Sequence, residues 1–461
     1  MSLWTAAEAA AATGGQVTGD WDASGLSIDT RTLQAGDLFV ALTAARDGHD
    51  FVADALAKGA AAAMVSRVPD GVDPARVLHV ETVQSGLEAL CKAGRKRAKA
   101  RVIAVTGSVG KTSTKEMLRH CLARQGKTHA AIKSFNNHWG VPLTLAGLPP
   151  DADFAVVEIG MNHPGEIAPL ARMAAPHVAM VTIVAPVHLE AFEDGIEGIA
   201  REKASIFGGL APGGVAIWNA DLETTPILEQ PGGVAFGQAS GAPWRLVEVN
   251  AGADTTTCAA HTPEGPIMFR IGAPGAHFAM NALAVLAACH AAGADMAQAA
   301  LALADWTPPE GRGKRHAVTL HPEQPPLDLI DDAYNANPAS VGAALELLKA
   351  AEVPKRARRI AILGDMRELG PTGPALHAAL ADHDAMGQID VVHTVGPLMK
   401  HLHTALPTDI RGHHSDTAKA MLAHLRHMVL PGDVVMVKGS LSMKMAVLVD
   451  GLRGLGEAKD P

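Results

Sequence analysis

Short apolar runs, each closed by a glycine or a polar turn, recur along the chain and alternate with stretches of helical periodicity. Between residues 100 and 312 the runs "RVIAVTG", "FAVVEIG", "VAMVTIV" and "GVAIWNA" are apolar at successive positions. A strand without alternation must be covered on both faces, so these runs predict a mostly parallel sheet sandwiched by helices. The rhythm resumes with "LDLIDDAY", "RRIAILGDM", "DVVHTVG" and "DVVMVKGS", with helical patterns "PASVGAALELLKAA" and "AKAMLAHLRHMV" between them. That reads as a second doubly wound, Rossmann-like unit. The intervening "DWTPPEGRGKRH" (305–316) is rich in proline, glycine and charge and reads as a linker. Residues 1–99 mix shorter strands ("DLFVAL", "AAAMVS", "RVLHV") with one clear helix, "DFVADALAKGA". The basic run "KAGRKRAKAR" (92–101) reads as a solvated helix face and exit linker. The expected fold class is α/β in three domains: 1–99, 100–312 and 313–461.

Composition changes this picture little. A chain of 461 residues is too long for one core. With 48% hydrophobic, 19% charged and only 3% aromatic residues, it describes a globular protein whose helices pack through alanine and glycine. Cys91, Cys121, Cys258 and Cys289 are scattered without a CxxC pair and read as free thiols in a reducing cytoplasm. The opening "MSLWTAAEAAAATGG" has neither a basic nor an apolar signal region, so no export signal is expected. The most apolar stretch (280–306) is broken by His290, Asp295 and Gln298 and reads as a helical pair, with no membrane insertion. A net charge of -9 argues against a nucleic-acid surface, while leaving room for anionic small molecules held by local lysines and helix N-termini.

Chemistry first surfaces in "VIAVTGSVGKTSTKEM" (102–117), a strand, a glycine loop and a helix. The usual phosphate-loop formula places four residues between its glycines; here only Ser108 and Val109 separate Gly107 from Gly110, and Val105 occupies the first glycine position. The physics survives the shorter spacing. Backbone amides from Gly107 to Thr112 can meet an anion at the helix N-terminus, Lys111 can reach β/γ-phosphates, and the Thr112 hydroxyl suits Mg²⁺. Downstream, "FAVVEIG" ends on Glu158 and "IVAPVHLEAF" carries His188 after the next strand. Both emerge at the strand ends where open α/β sheets hold ligands. Read singly, each fits a surface or capping residue as well as a metal ligand, and Lys203 in "GIAREKASIF" fits a solvated helix face. No guanine-reading NKxD element is present, and a small-molecule kinase stays open.

Together these residues resemble the Mur ligases, which form amide bonds in bacterial cell-wall precursors at the expense of ATP. "TGSVGKTS" (Thr106 to Ser113) is similar to the short T-G-x-x-G-K-[ST] loop of that family, which makes the central unit P-loop ATPase-like. The resemblance implies that Glu158 and His188 hold Mg²⁺, with Thr112, and that Lys203 is carbamylated to serve a second ion. It further implies that Asn281 in "GAHFAMNALA" contacts adenine beside His277, and that Arg312 in "EGRGKRH" serves ATP at the junction.

Four stretches, "DTRTLQAGDLFVALTAARDGHDF", "SFNNHWGVPLTL", "DDAYNANPAS" and "LGDMRELG", are similar to the branch that adds D-alanyl-D-alanine to UDP-N-acetylmuramoyl-tripeptide. That likeness runs from about residue 26 to 448. Ser205 and Leu441 depart from it, standing where an acidic residue and an arginine are common, and a glycine expected near Thr43 is missing. It implies a UDP-sugar site at Ser27, Thr30 and Arg31, a dipeptide site at Asp332, Asn335 and Asn337, with Tyr334 packing nearby, and a cytoplasmic monomer. Lys111, Lys203 and His188 would be the catalytic set. A sister ligase, a folyl-polyglutamate synthetase or a non-catalytic nucleotide-binding regulator remain alternatives at this stage.

Overall fold

The computed structural model describes residues 2–131 and 133–457, so the outermost ends of the expected first and last domains lie outside the described residues. Its architecture follows from three mostly parallel sheets in chain order. The first has four strands, Gly25–Ser27, Asp37–Val40, Ala62–Val65 and Val77–His79, each parallel to the next. A small antiparallel pair, Trp4–Thr5 with Asp22–Ala23, lies outside it. The second has nine strands, with Arg101–Thr106 between Val178–Val181 and Phe154–Glu158. The third has six, in the order Lys314–Val318, Leu327–Asp332, Val434–Lys438, Arg359–Gly364, Val391–Val395, Arg411–Ser415. All its neighbours are parallel except the first pair.

The unbroken apolar runs are covered on both faces, as their patterning requires. Ile103 and Val105 face a core built with Met117, Leu118 and the helices Ala276–Ala291 and Met296–Leu303. Val102 and Ala104 face the opposite core, with Val141, Leu170 and Ile199. The expected helical pair at 280–306 is present, and among the described residues no helix is long and apolar enough to cross a membrane.

Several expectations need correction. The first ninety-odd residues hold more than one clear helix: Ala6–Thr13 and Val83–Arg97 stand beside Val52–Ala57. The pattern of Val83–Arg97 is broken by Gly86 and Gly94, which serve packing, since a Cβ on Gly94 would collide with the Leu145 carbonyl of helix Gly140–Ala146. The basic run 92–101 is a solvated face only in part: Lys92, Lys96 and Lys99 are exposed, while two arginines are engaged. Arg95 donates to the carbonyls of Ala174 and Ala175 at 2.7 and 2.8 Å, and the Arg97 guanidinium lies 3.7 Å from the Trp4 ring centre. The supposed linker ends in the strand Lys314–Val318, and "AKAMLAHLRHMV" divides into Ala418–Leu422 and Leu425–Met428. The central sheet also carries an antiparallel wing, Trp244–Ala251, Thr256–Thr262 and Gly265–Ile271, whose threonine- and alanine-rich alternation is too weak to stand out in sequence.

Candidate active site

Strand Arg101–Thr106 sits where the chain, having filled one side of it with Thr128–Ala130 and Phe154–Glu158, crosses to the other with Val178–Val181. Such a reversal opens a crevice beyond the carboxyl ends of the strands. The glycine loop lies there. Gly107 and Gly110 take φ of 154° and 84°, and Gly110 opens helix Lys111–Ala123. Side chains are excluded at both: a Cβ on Gly107 would collide with Thr182 Oγ1, and one on Gly110 would come within 2.9 Å of Asn281 Oδ1. The loop is stapled to its neighbour strand through Ser108, whose amide donates to the Ile183 carbonyl at 2.7 Å and whose hydroxyl donates to the Ala185 carbonyl at 3.0 Å. Thr182 Oγ1 donates to the Val109 carbonyl at 2.7 Å.

Lys111 Nζ folds back onto the Gly107 carbonyl at 2.6 Å. Burial pulls its pKa below the ordinary lysine value, Glu158 opposes that pull, and Arg312 adds to it. Thr112 Oγ1 donates to Glu158 Oε2 at 2.9 Å, and the other carboxylate oxygen accepts from Asn136 Nδ2 at 2.7 Å. Glu158 is 1% exposed. Ser134 completes the cluster, 3.1 Å from Thr112 Oγ1 and 3.3 Å from Arg312 Nη2. Lys115, a fully buried lysine, donates to the Ala131 and Lys133 carbonyls at 2.8 Å each.

With that geometry in place, comparison with known proteins is decisive. The Mur ligase family catalytic domain matches residues 22–105, the Mur ligase middle domain 105–289, and the Mur ligase glutamate ligase domain 318–441. The UDP-N-acetylmuramoyl-tripeptide–D-alanyl-D-alanine ligase of Escherichia coli is 35% identical over 94% of this chain and 94% of its own.

The chain belongs to the Mur ligase family.

Among solved structures, MurF from Acinetobacter baumannii superimposes with a TM-score of 0.82 at 29% identity, covering 98% of this chain and 99% of that one. MurF from Thermotoga maritima, in complex with ADP, gives 0.77 at 25% identity over 94% and 98%.

In this Mur ligase some of the remaining predicted residues gather at the loop and others lie elsewhere. Asn281 and Arg312 come to the loop: Asn281 abuts Gly110, and Arg312 links Ser134 of the central sheet to the Tyr334 ring, 4.1 Å from its centre. Lys203 is 2% exposed, and among the described residues no carboxylate lies within 4.0 Å of it. Burial, reinforced by the Lys111 charge, lowers its pKa well below the ordinary value, and Glu202 counters weakly. Glu202 itself turns away, accepting from the Gly165 and Ile167 amides at 2.8 Å. The solvated-face reading of Lys203 is therefore excluded. His188 stands apart from this group, with Nδ1 2.5 Å from Glu368 Oε2 of the third sheet.

The sugar-site candidates line a turn after Gly25–Ser27. Ser27 Oγ bonds within the turn to Asp29, Thr30 offers its carbonyl to Lys58 Nζ at 3.2 Å, and Arg31 is forked on Asp29. Arg31 holds Asp29 down to about 2, with a smaller pull from Lys133 of the central unit. In the third sheet, Asp332 pairs with Lys438 Nζ at 2.6 Å, Asn335 is exposed, and Asn337 uses its Oδ1 to cap helix Pro338–Ala350 through the Ser340 amide at 2.9 Å. Burial raises the Asp332 pKa against the pull of Lys438 and Arg312. Burial, with the Lys438 charge adding to it, holds His277 down to about 4.

Sequence reading passed over Ser134, Asn136 and Lys115, although "SFNNHWG" is a polar, turn-forming stretch between two helices and carries the first two. One further group, Glu310, His316 and Asp331, gathers its donor atoms within 4.8 Å of one another. Its oxygens are already engaged: Asp331 accepts from the Gly311 and Ala333 amides, and Glu310 faces Lys314 and His316. It is a structural knot at the start of the third sheet, tying Glu310 of the preceding segment to strands Lys314–Val318 and Leu327–Asp332.

Proposed function

We propose that this Mur ligase joins D-alanyl-D-alanine to the terminal carboxylate of UDP-N-acetylmuramoyl-tripeptide, at the expense of ATP, in peptidoglycan precursor synthesis. The observation that carries the reading is full-length likeness to the dipeptide-adding ligases together with "DDAYNANP" at the carboxyl end of Leu327–Asp332, the position where such a sheet meets its ligand.

The substrate carboxylate attacks the γ-phosphorus of ATP, the bond to the β-phosphate oxygen breaks, and an acyl phosphate and ADP result. The dipeptide amine then attacks the carbonyl carbon, loses a proton, and inorganic phosphate leaves. Two anions must meet in the first step, so charge neutralisation is the main catalytic requirement. Lys111 supplies one fixed cation, and the loop residues Thr106 to Ser113 supply amide donors, with Asn281 toward the base and Arg312 at the junction. Mg²⁺ fits the residues present. Glu158 and Thr112 set a buried carboxylate and a hydroxyl side by side, hard oxygen donors of the kind this ion takes. Bound Mg²⁺ would offset phosphate charge, held by Thr112 and Glu158, with His188 as a further proposed ligand. Lys203, buried and favoured as a neutral amine, suits addition to CO₂ with loss of a proton, giving an anionic carbamate for a second ion.

Ser27, Thr30 and Arg31 would bind the UDP-sugar, and Asp332, Asn335 and Asn337 would shape the dipeptide site. The units are read as 1–99, 100–312 and 313–461, acting as a cytoplasmic monomer, which suits four buried free cysteines. The deciding experiment supplies purified protein with ATP, Mg²⁺, UDP-muramoyl-tripeptide and either D-Ala-D-Ala or single amino acids. Phosphate release with a product of pentapeptide mass is expected only with the dipeptide; turnover with a single amino acid instead would assign the chain to a sister branch.

A further inference from the structure

His188 and Glu368 belong to different sheets, and each takes a backbone conformation rare outside glycine. Their φ angles are 54° and 65°. The turns that follow them, Leu189–Ala191 and Gly370–Thr372, pack on each other, and a Cβ on Gly370 would lie 3.5 Å from Glu190 Cβ. A half-exposed ion pair contributes little stability, so the unusual backbone on both sides points to geometry as its purpose.

The Glu368 loop is rigidly presented. Asp365 Oδ1 accepts from the Met399 amide at 2.8 Å, His377 Nε2 accepts from the Met366 amide at 2.9 Å, and the Arg367 amide donates to Ser440 Oγ at 2.9 Å. Its carboxylate meets Nδ1 of His188, which leaves the other ring nitrogen for a different partner. A histidine that binds a metal almost always gives its second nitrogen to a carboxylate or carbonyl, which fixes tautomer and ring orientation.

We propose that Glu368 is a positioning residue: from the third sheet it orients His188 of the central unit as a ligand for a divalent cation, so that cation binding and docking of the C-terminal sheet favour each other. The inference rests on the metal reading of His188. Such coupling is reciprocal by linkage. The carboxylate comes from "LGDMRELG", a stretch the mechanism above leaves without a role.

Mn²⁺ titration by electron paramagnetic resonance, on the full chain with a non-hydrolysable ATP analogue, tests it. Glu368→Ala is expected to weaken Mn²⁺ binding roughly 10- to 100-fold, with Glu368→Gln, which still accepts from Nδ1–H, in between. Small-angle scattering should show wild-type protein contracting on addition of Mn²⁺ and the analogue, and Glu368→Ala contracting less. His188→Ala separates the two levels. If it binds Mn²⁺ as the wild type does, the metal reading of His188 falls and this proposal with it. If His188→Ala binds weakly while Glu368→Ala matches wild type in affinity and contraction, the metal reading stands and the coupling is overturned.

Discussion

Lys111 and Lys203 show how one residue type acquires two roles from its surroundings. Lys111 is pulled below the ordinary lysine range by burial but has the Glu158 carboxylate to support its charge. Lys203 has burial and the Lys111 charge against it, with Glu202 too weakly placed to compensate. The first is therefore suited to act as a cation on phosphate, the second as a neutral amine. Lys111→Ala is expected to lower turnover about 100-fold or more, with an unchanged melting profile by circular dichroism; near-wild-type activity would make the loop purely structural. Lys203→Ala is expected to lose activity and regain part of it with added short-chain carboxylates, since a small acid can imitate a carbamate. Mass spectrometry at ample bicarbonate that finds only unmodified lysine in active protein would count against the carbamate.

Within single elements, the loop after Leu327–Asp332 divides its labour. Asn337 closes a reciprocal cap with Ser340 at the start of helix Pro338–Ala350, while Asn335 stays exposed. Asn337→Ala is expected to cost about 1 kcal/mol in chemical denaturation, and Asn335→Ala to raise the KM for D-Ala-D-Ala with stability unchanged. The reverse pattern in a denaturation and kinetic series would exchange the two assignments. Strand Val391–Val395 carries a pH dependence of its own. Burial, with His413, Arg358 and His403 around it, holds His393 down to about 4 from 6.5. A depressed pKa means the unfolded chain takes up the proton first as pH falls. Stability from this group is thus complete above pH 6.5 and is lost between there and about 4, on the order of 3 kcal/mol in all. His393→Asn keeps an acceptor for the His413 amide, 2.8 Å from Nδ1, and removes the titration. Denaturation midpoints followed across that window should decline less steeply in the variant.

Across the whole molecule, Arg312 is the clearest bridge, touching Ser134 on the central unit and Tyr334 on the third sheet. Arg312→Ala is expected to raise the KM for ATP and to speed limited proteolysis in segment 305–313, because it releases both contacts at once. Unchanged cleavage alongside a raised KM would confine Arg312 to nucleotide binding.

The phosphate loop, the buried strands and the strand-end Glu158 were legible in sequence, because each depends on near neighbours: glycines at a turn, β-branched runs and a helix start within one short stretch. The helix Val83–Arg97 was not, because Gly94 answers to the Leu145 carbonyl on another helix and Gly86 to the Met64 and Val80 side chains. The burial of Lys203, the contacts of Ser134 with Thr112 and of Asn136 with Glu158, and the meeting of His188 with Glu368 were likewise invisible. The contacts among these span 22 residues or more of sequence, and no local pattern reports what the fold will bring beside a side chain. Sequence by itself determined the elements and the loop that can hold phosphate. Only tertiary structure decided which lysine would carry charge and which would shed it, since desolvation is a property of packing.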